Sequence, residues 1–265
     1  MNENVKDTDI TIDPDEIKRF SSLANAWWDP EGDFRPLHQI NPIRLEFIRD
    51  RLCKHFELDP HQHPSLKGLS ILDVGCGGGL ISEPLTRMGA SVTGIDAAGK
   101  NISVARSHAK AAMLNIDYQS LSIEDLTKKN LAFDVVIALE VIEHVVNLDK
   151  FLEICVKLAK EGGCLIFATL NRTAKAFTLA ILGAEYILRW LPRGTHRWGK
   201  FVRPSELDNS LSKNGAIVTD IAGLTYNVLK TEWLLSKDVG VNYMVLAKKK
   251  QSNYLFCEET LISSP

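Results

Sequence analysis

Residues 71–80 read ILDVGCGGGL, an apolar run with one aspartate that passes straight into four glycines within five positions. Around this stretch strands and helices alternate. "LSILDVG" is a buried strand, "LISEPLTRMG" a helix closed by Gly89, "SVTGID" a second strand and "GKNISVARSHAKAAML" a second helix. "IDYQSL", "AFDVVIALE" and "CLIFATL" read as strands three to five, and "NLDKFLEICVKLAKEGG" as a helix ending in a glycine pair suited to a left-handed cap. Near-continuous apolar strands separated by helices predict a mostly parallel sheet covered on both faces, an α/β fold.

Outside that core the rhythm changes. Residues 1–14 read as disordered, and 15–66 as a helical cap made of two helices. The first, from Asp15, carries Ile17, Phe20, Leu23, Ala24 and Trp27 on one face. The second has Asn41 as N-cap and Pro42 at its first position. Residues 69–170 form the binding core and 171–203 an insertion. Residues 204–250 supply a last helix and the strands "AIVTDIAGLTY" and "VNYMVLAKKK", and 251–265 form a tail. Residues 15–250 are expected to fold as one domain.

The balance of 31 basic against 33 acidic residues leaves no overall nucleic-acid footprint. Five scattered cysteines, never spaced as CxxC, read as reduced thiols rather than a disulfide frame or zinc site. His61 and His63 lie among prolines with no further ligand near and read as solvated loop residues. The acidic N-terminus has no apolar signal region, so the expectation is a cytoplasmic protein.

A strand that feeds a glycine turn and then a helix N-terminus is a binding crevice of the doubly wound type. The dinucleotide fingerprint requires G-x-G-x-x-G. Here the glycines are Gly75, Gly77 and Gly79, with Leu80 at the third dinucleotide position and Asp73 just before the turn. A carboxylate there opposes a pyrophosphate and suits a ligand bearing an ammonium. Asp96 ends the second strand 17 residues past Gly79, where an acid accepts hydrogen bonds from a ribose diol. S-adenosylmethionine brings the ribose, the adenine and the ammonium together.

This stretch resembles motif I of the class I S-adenosylmethionine-dependent methyltransferases, and the likeness runs from about Leu69 to Leu170. The resemblance implies a Rossmann-like, mostly parallel seven-stranded sheet with helices on both faces, N-terminal helices and a helical insertion after strand five. In that family the loop after strand three, here "LSIEDL", contacts adenine. Ser122 stands where an aspartate is frequent, so Ile123 and Glu124 are expected to act partly through their backbone.

Further segments, "WWDPEGDFRPLHQINPIRL", "LEVIEHV", "TLNRTAKAFTLAILGAEYILRWLPRGTH" and "GLTYN…VNYM", resemble the ubiquinone-biosynthesis O-methyltransferase family from roughly Ile17 to Lys248. That resemblance implies methylation of ring hydroxyls on a polyprenylated phenol or catechol, with cofactor contacts at Arg44, Gly75, Asp96 and Leu139. It also leaves room for other ubiquinone-biosynthesis proteins as partners. Arg44 is a chemically sensible partner for the methionine carboxylate.

The acceptor oxygen attacks far better as a phenolate, and a free phenol titrates near ~10. "LEVIEHV" offers Glu140, Glu143 and His144 at the end of strand four. If the chain turns helical there, the three share a face and either hold a divalent cation such as Mg²⁺ or leave His144 as general base. In many methyltransferases of other specificity, residues at this place only support the cofactor loop.

In "AFTLAILGAEYILRWLP" an apolar face of Phe177, Ile181, Ala184, Leu188 and Leu191 precedes Arg193, Arg197, Lys200 and Arg203. The stretch is too short and too charged to span a bilayer, which takes about 20 apolar residues. Two readings stay open: an in-plane helix holding Phe177–Arg203 against the anionic inner face of the membrane, or a lid over the pocket. Trp27 and Trp28 either cap a ligand or fill core. The rival functions are a methyltransferase of another small hydrophobic phenol or of a carbon or nitrogen acceptor, a nicotinamide-dependent oxidoreductase, and a non-catalytic cofactor-binding subunit.

Overall fold

The structure, a computed structural model, describes residues 11–178, 198–227, 230 and 232–251. Two N-terminal helices, α1 (Pro14–Leu23) and α2 (Arg35–His55), precede alternating strands and helices: β1 (Ser70–Val74), α3 (Ser82–Arg87), β2 (Ser91–Asp96), α4 (Gly99–Ala111), β3 (Asp117–Ser120) and α5 (Ile123–Thr127). Then come β4 (Phe133–Leu139), α6 (Leu148–Leu158), β5 (Ala159–Leu170), α7 (Ala174–Ala176), α8 (Pro204–Lys213), β6 (Ala216–Asn227), β7 (Glu232–Ser236) and β8 (Asn242–Lys249).

The described strands form an eight-stranded sheet in the order β3-β2-β1-β4-β5-β8-β6-β7. β1 to β5 run parallel, while β8, β6 and β7 add on antiparallel. The expected count of seven is corrected by β7: "EWLLS" folds back on β6, with Trp233 opposite Tyr226 and Leu235 opposite Leu224. Its few alternating residues lie close behind a long strand, where only pairing distinguishes strand from loop.

Alternate residues of the strands feed two cores. Leu72, Val136, Phe167 and Val245 pack against α5, α6 and α8. Ile71, Val135, Ile166 and Met244 pack against α2 and α3. Burial on both faces is why these strands read as unbroken apolar runs.

Three boundaries differ from the sequence reading. Helix α2 starts at Arg35, with Pro36 in its first turn, so Asn41 is a buried interior residue and Pro42 lies inside the helix. Pro36 supplies the preset φ that Pro42 was expected to supply. Helix α6 stops at Leu158 rather than at the glycine pair, because Ala159 already pairs beside Phe133. Disorder was expected through residue 14, yet Thr11 is buried, and its backbone N–H and Oγ1 both donate to Glu124 Oε1, at 2.7 and 2.6 Å. Asp13 then caps α1 by accepting from the Asp15 N–H.

Cys53, Cys76, Cys155 and Cys164 are buried free thiols, and His61 and His63 are exposed. Cys257 and tail residues 252–265 lie outside the described residues, as does most of the insertion, 179–197. Among the described residues no helix is long and apolar enough to cross a membrane.

Candidate active site

The strand ends of β1, β2, β4 and β5 open into a cavity of about 1170 Å³. Val74 and Gly75 reach it from β1, Asp96 from β2, Leu139 and Glu140 from β4, and Leu170 from β5. Helix α1 and the turn after it form one wall, and Leu224, Tyr226, Trp233 and Asn242 another. This is the crevice beyond the carboxyl ends of the strands where open α/β sheets bind ligands.

At the first end the backbone leaves β1 with Gly75 in the left-handed region (φ +69), and a Cβ there would lie 2.6 Å from Val141 Cγ2. Glycine is required at that point for both reasons. Its neighbour Asp96 is held by N–H groups: Gly77 and Ala98 donate to it at 3.0 and 2.7 Å, and the Asn101 amide at 3.3 Å. Burial raises the Asp96 carboxyl above its ordinary range, against the pull of these donors. Ile123 and Leu139 complete this side.

Four predicted residues do not line the cavity. Gly77 and Gly78 are roofed by Trp27, whose side chain would lie 2.4 Å from a Cβ on either. Trp27 stacks on Phe34 at 3.8 Å and donates to Asn101 Oδ1 at 3.0 Å, while Trp28 donates to Gly78 O and stacks on His108. Gly79 lies against Tyr118. Asp73 sits beneath the loop, 3% exposed, where its Oδ2 accepts from Ser82 Oγ at 2.6 Å. Burial pushes its carboxyl up to about 7, with the nearby Asp96 charge adding to the rise. Glu124 is turned away to Thr11.

At the second end, residues expected to serve different partners meet. Arg44 of α2, 3% exposed, donates from Nη2 to Glu140 Oε1, and its Nε has no hydrogen-bond partner among the described residues. Glu140 takes a left-handed φ of +55, a strained conformation that directs it toward Arg44. Glu143 is buried, accepts from Thr169 Oγ1 at 2.8 Å through Oε2, and its Oε1 has no hydrogen-bond partner among the described residues. Burial pushes its carboxyl well above the usual range, and the Glu140 charge adds to that.

His144 Nδ1 lies 3.2 Å from Glu16 Oε2, and Phe20 meets its ring edge-on. That contact holds the Glu16 carboxyl below its ordinary value. Residues 142–144 form a turn, not a helix. The helical turn that was expected to place Glu140, Glu143 and His144 on one face is therefore not formed. The three side chains turn to Arg44, Thr169 and Glu16, and among the described residues no group of three or more His, Cys, Asp or Glu is placed to hold a metal ion.

Sequence reasoning missed Glu16, Asn101, Thr169, Trp233 and Asn242. Glu16 and Phe20 stand four apart on α1, a spacing that puts an acid and an aromatic on one face and offered a signal. The others are single residues, Thr169 and Asn242 in apolar runs and Asn101 and Trp233 beside charged ones, and no spacing marks them.

Residues 72–167 match a family model described as a methyltransferase domain. Over 239 residues the chain is 52% identical to the ubiquinone biosynthesis O-methyltransferase of Sinorhizobium fredii, which covers 90% of this chain and 96% of that protein. It is equally 52% identical to the protein of the same name from a Chelativorans species, over 90% of this chain and 94% of the other. A solved magnesium protoporphyrin IX methyltransferase from Synechocystis, with bound SAH, superposes with a TM-score of 0.60 at 20% identity, covering 88% of this chain and 94% of that one. That likeness is one of fold.

Proposed function

Since the chain belongs to the ubiquinone biosynthesis O-methyltransferase family, we infer that its cavity takes S-adenosylmethionine at the β1–β2 end and a polyprenylated phenol or catechol ring at the other. The observation that supports this most is the cavity itself, which Asp96, Gly75 and Arg44 share with Glu143 and His144. The residues fit the cofactor. Gly75 leaves a cradle that a Cβ would fill, Asp96 offers carboxylate oxygens to a ribose, and the buried Arg44 Nε, without a partner among the described residues, suits a carboxylate.

S-adenosylmethionine supplies an electrophilic methyl group on a positively charged sulfur. The protein's tasks are to hold the acceptor oxygen in line, exclude water and receive the phenolic proton. Phe20, Trp27, Phe34, Leu37 and Ile40 give the cavity a largely apolar wall that excludes water. The raised Glu143 carboxyl is closer in basicity to a phenol than an exposed glutamate would be. Glu16 orients the His144 ring in the same wall.

The polyprenyl chain of such a substrate resides in the bilayer. Contact of residues 177–203 with an anionic membrane surface belongs to the same proposal, although 179–197 lie outside the described residues. Phe177 and Trp198, which flank them, are each 41% exposed. Co-sedimentation with anionic liposomes tests this, and binding unchanged by Phe177→Asp removes it.

The reading as a whole is tested by methyl transfer from labelled S-adenosylmethionine to a prenylated catechol. An O-methylated product is expected. Tight cofactor binding without turnover on any phenolic ring would replace the enzyme with a binding subunit.

A further inference from the structure

Strand β8 opens at Asn242, which pairs with Leu170 at the end of β5. Asn242 is 7% exposed and lines the cavity, and its Oδ1 has no hydrogen-bond partner among the described residues. The backbone on both sides is anchored. Asn171 donates from its N–H to Val241 O at 2.7 Å and from Nδ2 to Val239 O at 2.8 Å, while the buried Tyr243 hydroxyl donates to Val202 O at 2.9 Å. A buried acceptor held this firmly without a donor is uncommon, and at a cavity wall it is satisfied by what the cavity receives.

Position identifies that occupant. Asp96, the ribose-facing acid, lies on β2, four strand positions from β8. At about 4.8 Å per strand the separation is roughly 19 Å, too far for the sugar end of the cofactor to concern Asn242. The end of β5 lies between Asn242 and Glu143, because Glu143 is bonded to Thr169 and Asn242 pairs with Leu170. The two residues approach that strand end from opposite faces of the sheet: Thr169 alternates with Phe167 of one core, and Asn242 with Met244 of the other. On the Asn242 side, Trp233 presents a buried indole N–H that also lacks a partner among the described residues.

We propose that Asn242 is a specificity-determining residue that accepts a hydrogen bond from the ring hydroxyl adjacent to the one being methylated. This rests on the methyltransferase reading above and extends it to a preference: the ring must carry a second free hydroxyl. A ring with one hydroxyl offers no proton to Oδ1 and leaves it unsatisfied. The Trp233 indole N–H belongs to the same polar wall.

Equilibrium binding to the chain loaded with S-adenosylhomocysteine, which has no methyl group to transfer, tests this with a prenylated catechol and the same ring lacking one hydroxyl. The unmodified chain is expected to bind the catechol about tenfold or more tightly, and Asn242→Leu to bring the two within about twofold, with cofactor affinity unchanged. Asn242→Asp, which keeps an oxygen acceptor, is expected to retain the preference. Equal affinities in the unmodified chain, or a full preference in Asn242→Leu, would overturn the proposal. Should Asn242→Leu fail to bind cofactor, Asn242→Ala is read in its place by the same criterion. An unmodified chain that binds neither S-adenosylmethionine nor its product defeats the methyltransferase reading instead.

Discussion

The two ends of the cavity are finished to different degrees. At the β1–β2 end the ligand-facing carboxylate of Asp96 already receives the Gly77, Ala98 and Asn101 N–H groups, and Trp27 closes the glycine turn from above. At the β4–β8 end Glu143 Oε1, Trp233 Nε1 and Asn242 Oδ1 are buried without hydrogen-bond partners among the described residues. At one end the acid that faces the cavity is already held by N–H donors. The other keeps polar groups that an incoming molecule must satisfy, which costs stability and gains discrimination, because a wrong ligand leaves them unpaired.

The largest effect should come from the incomplete end. Glu143→Gln keeps the shape and a bond to Thr169 but cannot take a proton. Turnover should fall by about 10²–10⁴-fold with cofactor affinity unchanged, as read by steady-state kinetics and calorimetry. Equal losses in both quantities would erase the division between the ends. Asp96→Ala strikes the β1–β2 end and releases three N–H donors. S-adenosylhomocysteine should bind on the order of 100-fold more weakly, and a loss below fivefold would mean Asp96 only braces the loop.

Asp73 sharpens the contrast through pH. Its folded-state carboxyl titrates at about 7, above the ordinary value of 3.8, because it is buried. The folded state therefore holds a proton that the unfolded chain releases. The associated stability is full below pH ~4 and is lost as pH rises to about 7, where burial of the charge sets in. Relative to Asp73→Asn, the wild type should lose on the order of a few kcal/mol across that window in denaturant titrations. A flat difference curve would show the carboxyl already ionised.

Smaller effects follow at the roof. Gly77→Ala places a Cβ 2.4 Å from Trp27 at a φ of +54 and should cost about 1–3 kcal/mol, seen as a lowered Tm. Thr11→Val removes one of the two bonds to Glu124 and should cost about 1 kcal/mol. The exposed Lys18–Asp15 pair is the control, and Lys18→Ala should change stability by less than about 0.5 kcal/mol.

Much of the cradle was legible in the chain because local rules write it. The glycine turn, the acid ending β2 and the apolar strand runs each follow from backbone sterics or from burial on two faces. Arg44, Gly75, Asp96, Ile123, Leu139, Glu140, Glu143 and His144 were all read from the sequence and all line the cavity. Asp73, Gly77, Gly79 and Glu124 were read as ligand contacts and are not among the residues lining the cavity; Asp73 is bonded to Ser82 and Glu124 to Thr11. A motif marks where the chain bends, and only the packed neighbours show which side of the bend is open.

By itself, then, the order of residues determined the α/β class, the parallel core and the class of ligand, since these depend on short-range periodicity and on steric limits within a few residues. Tertiary structure alone decided that Arg44 meets Glu140 across 96 positions, that His144 meets Glu16, and that Asn242 faces the same cavity as Glu143. Such pairings are set by how helices and strands stack, through contacts between segments remote in the chain that no spacing in the sequence encodes.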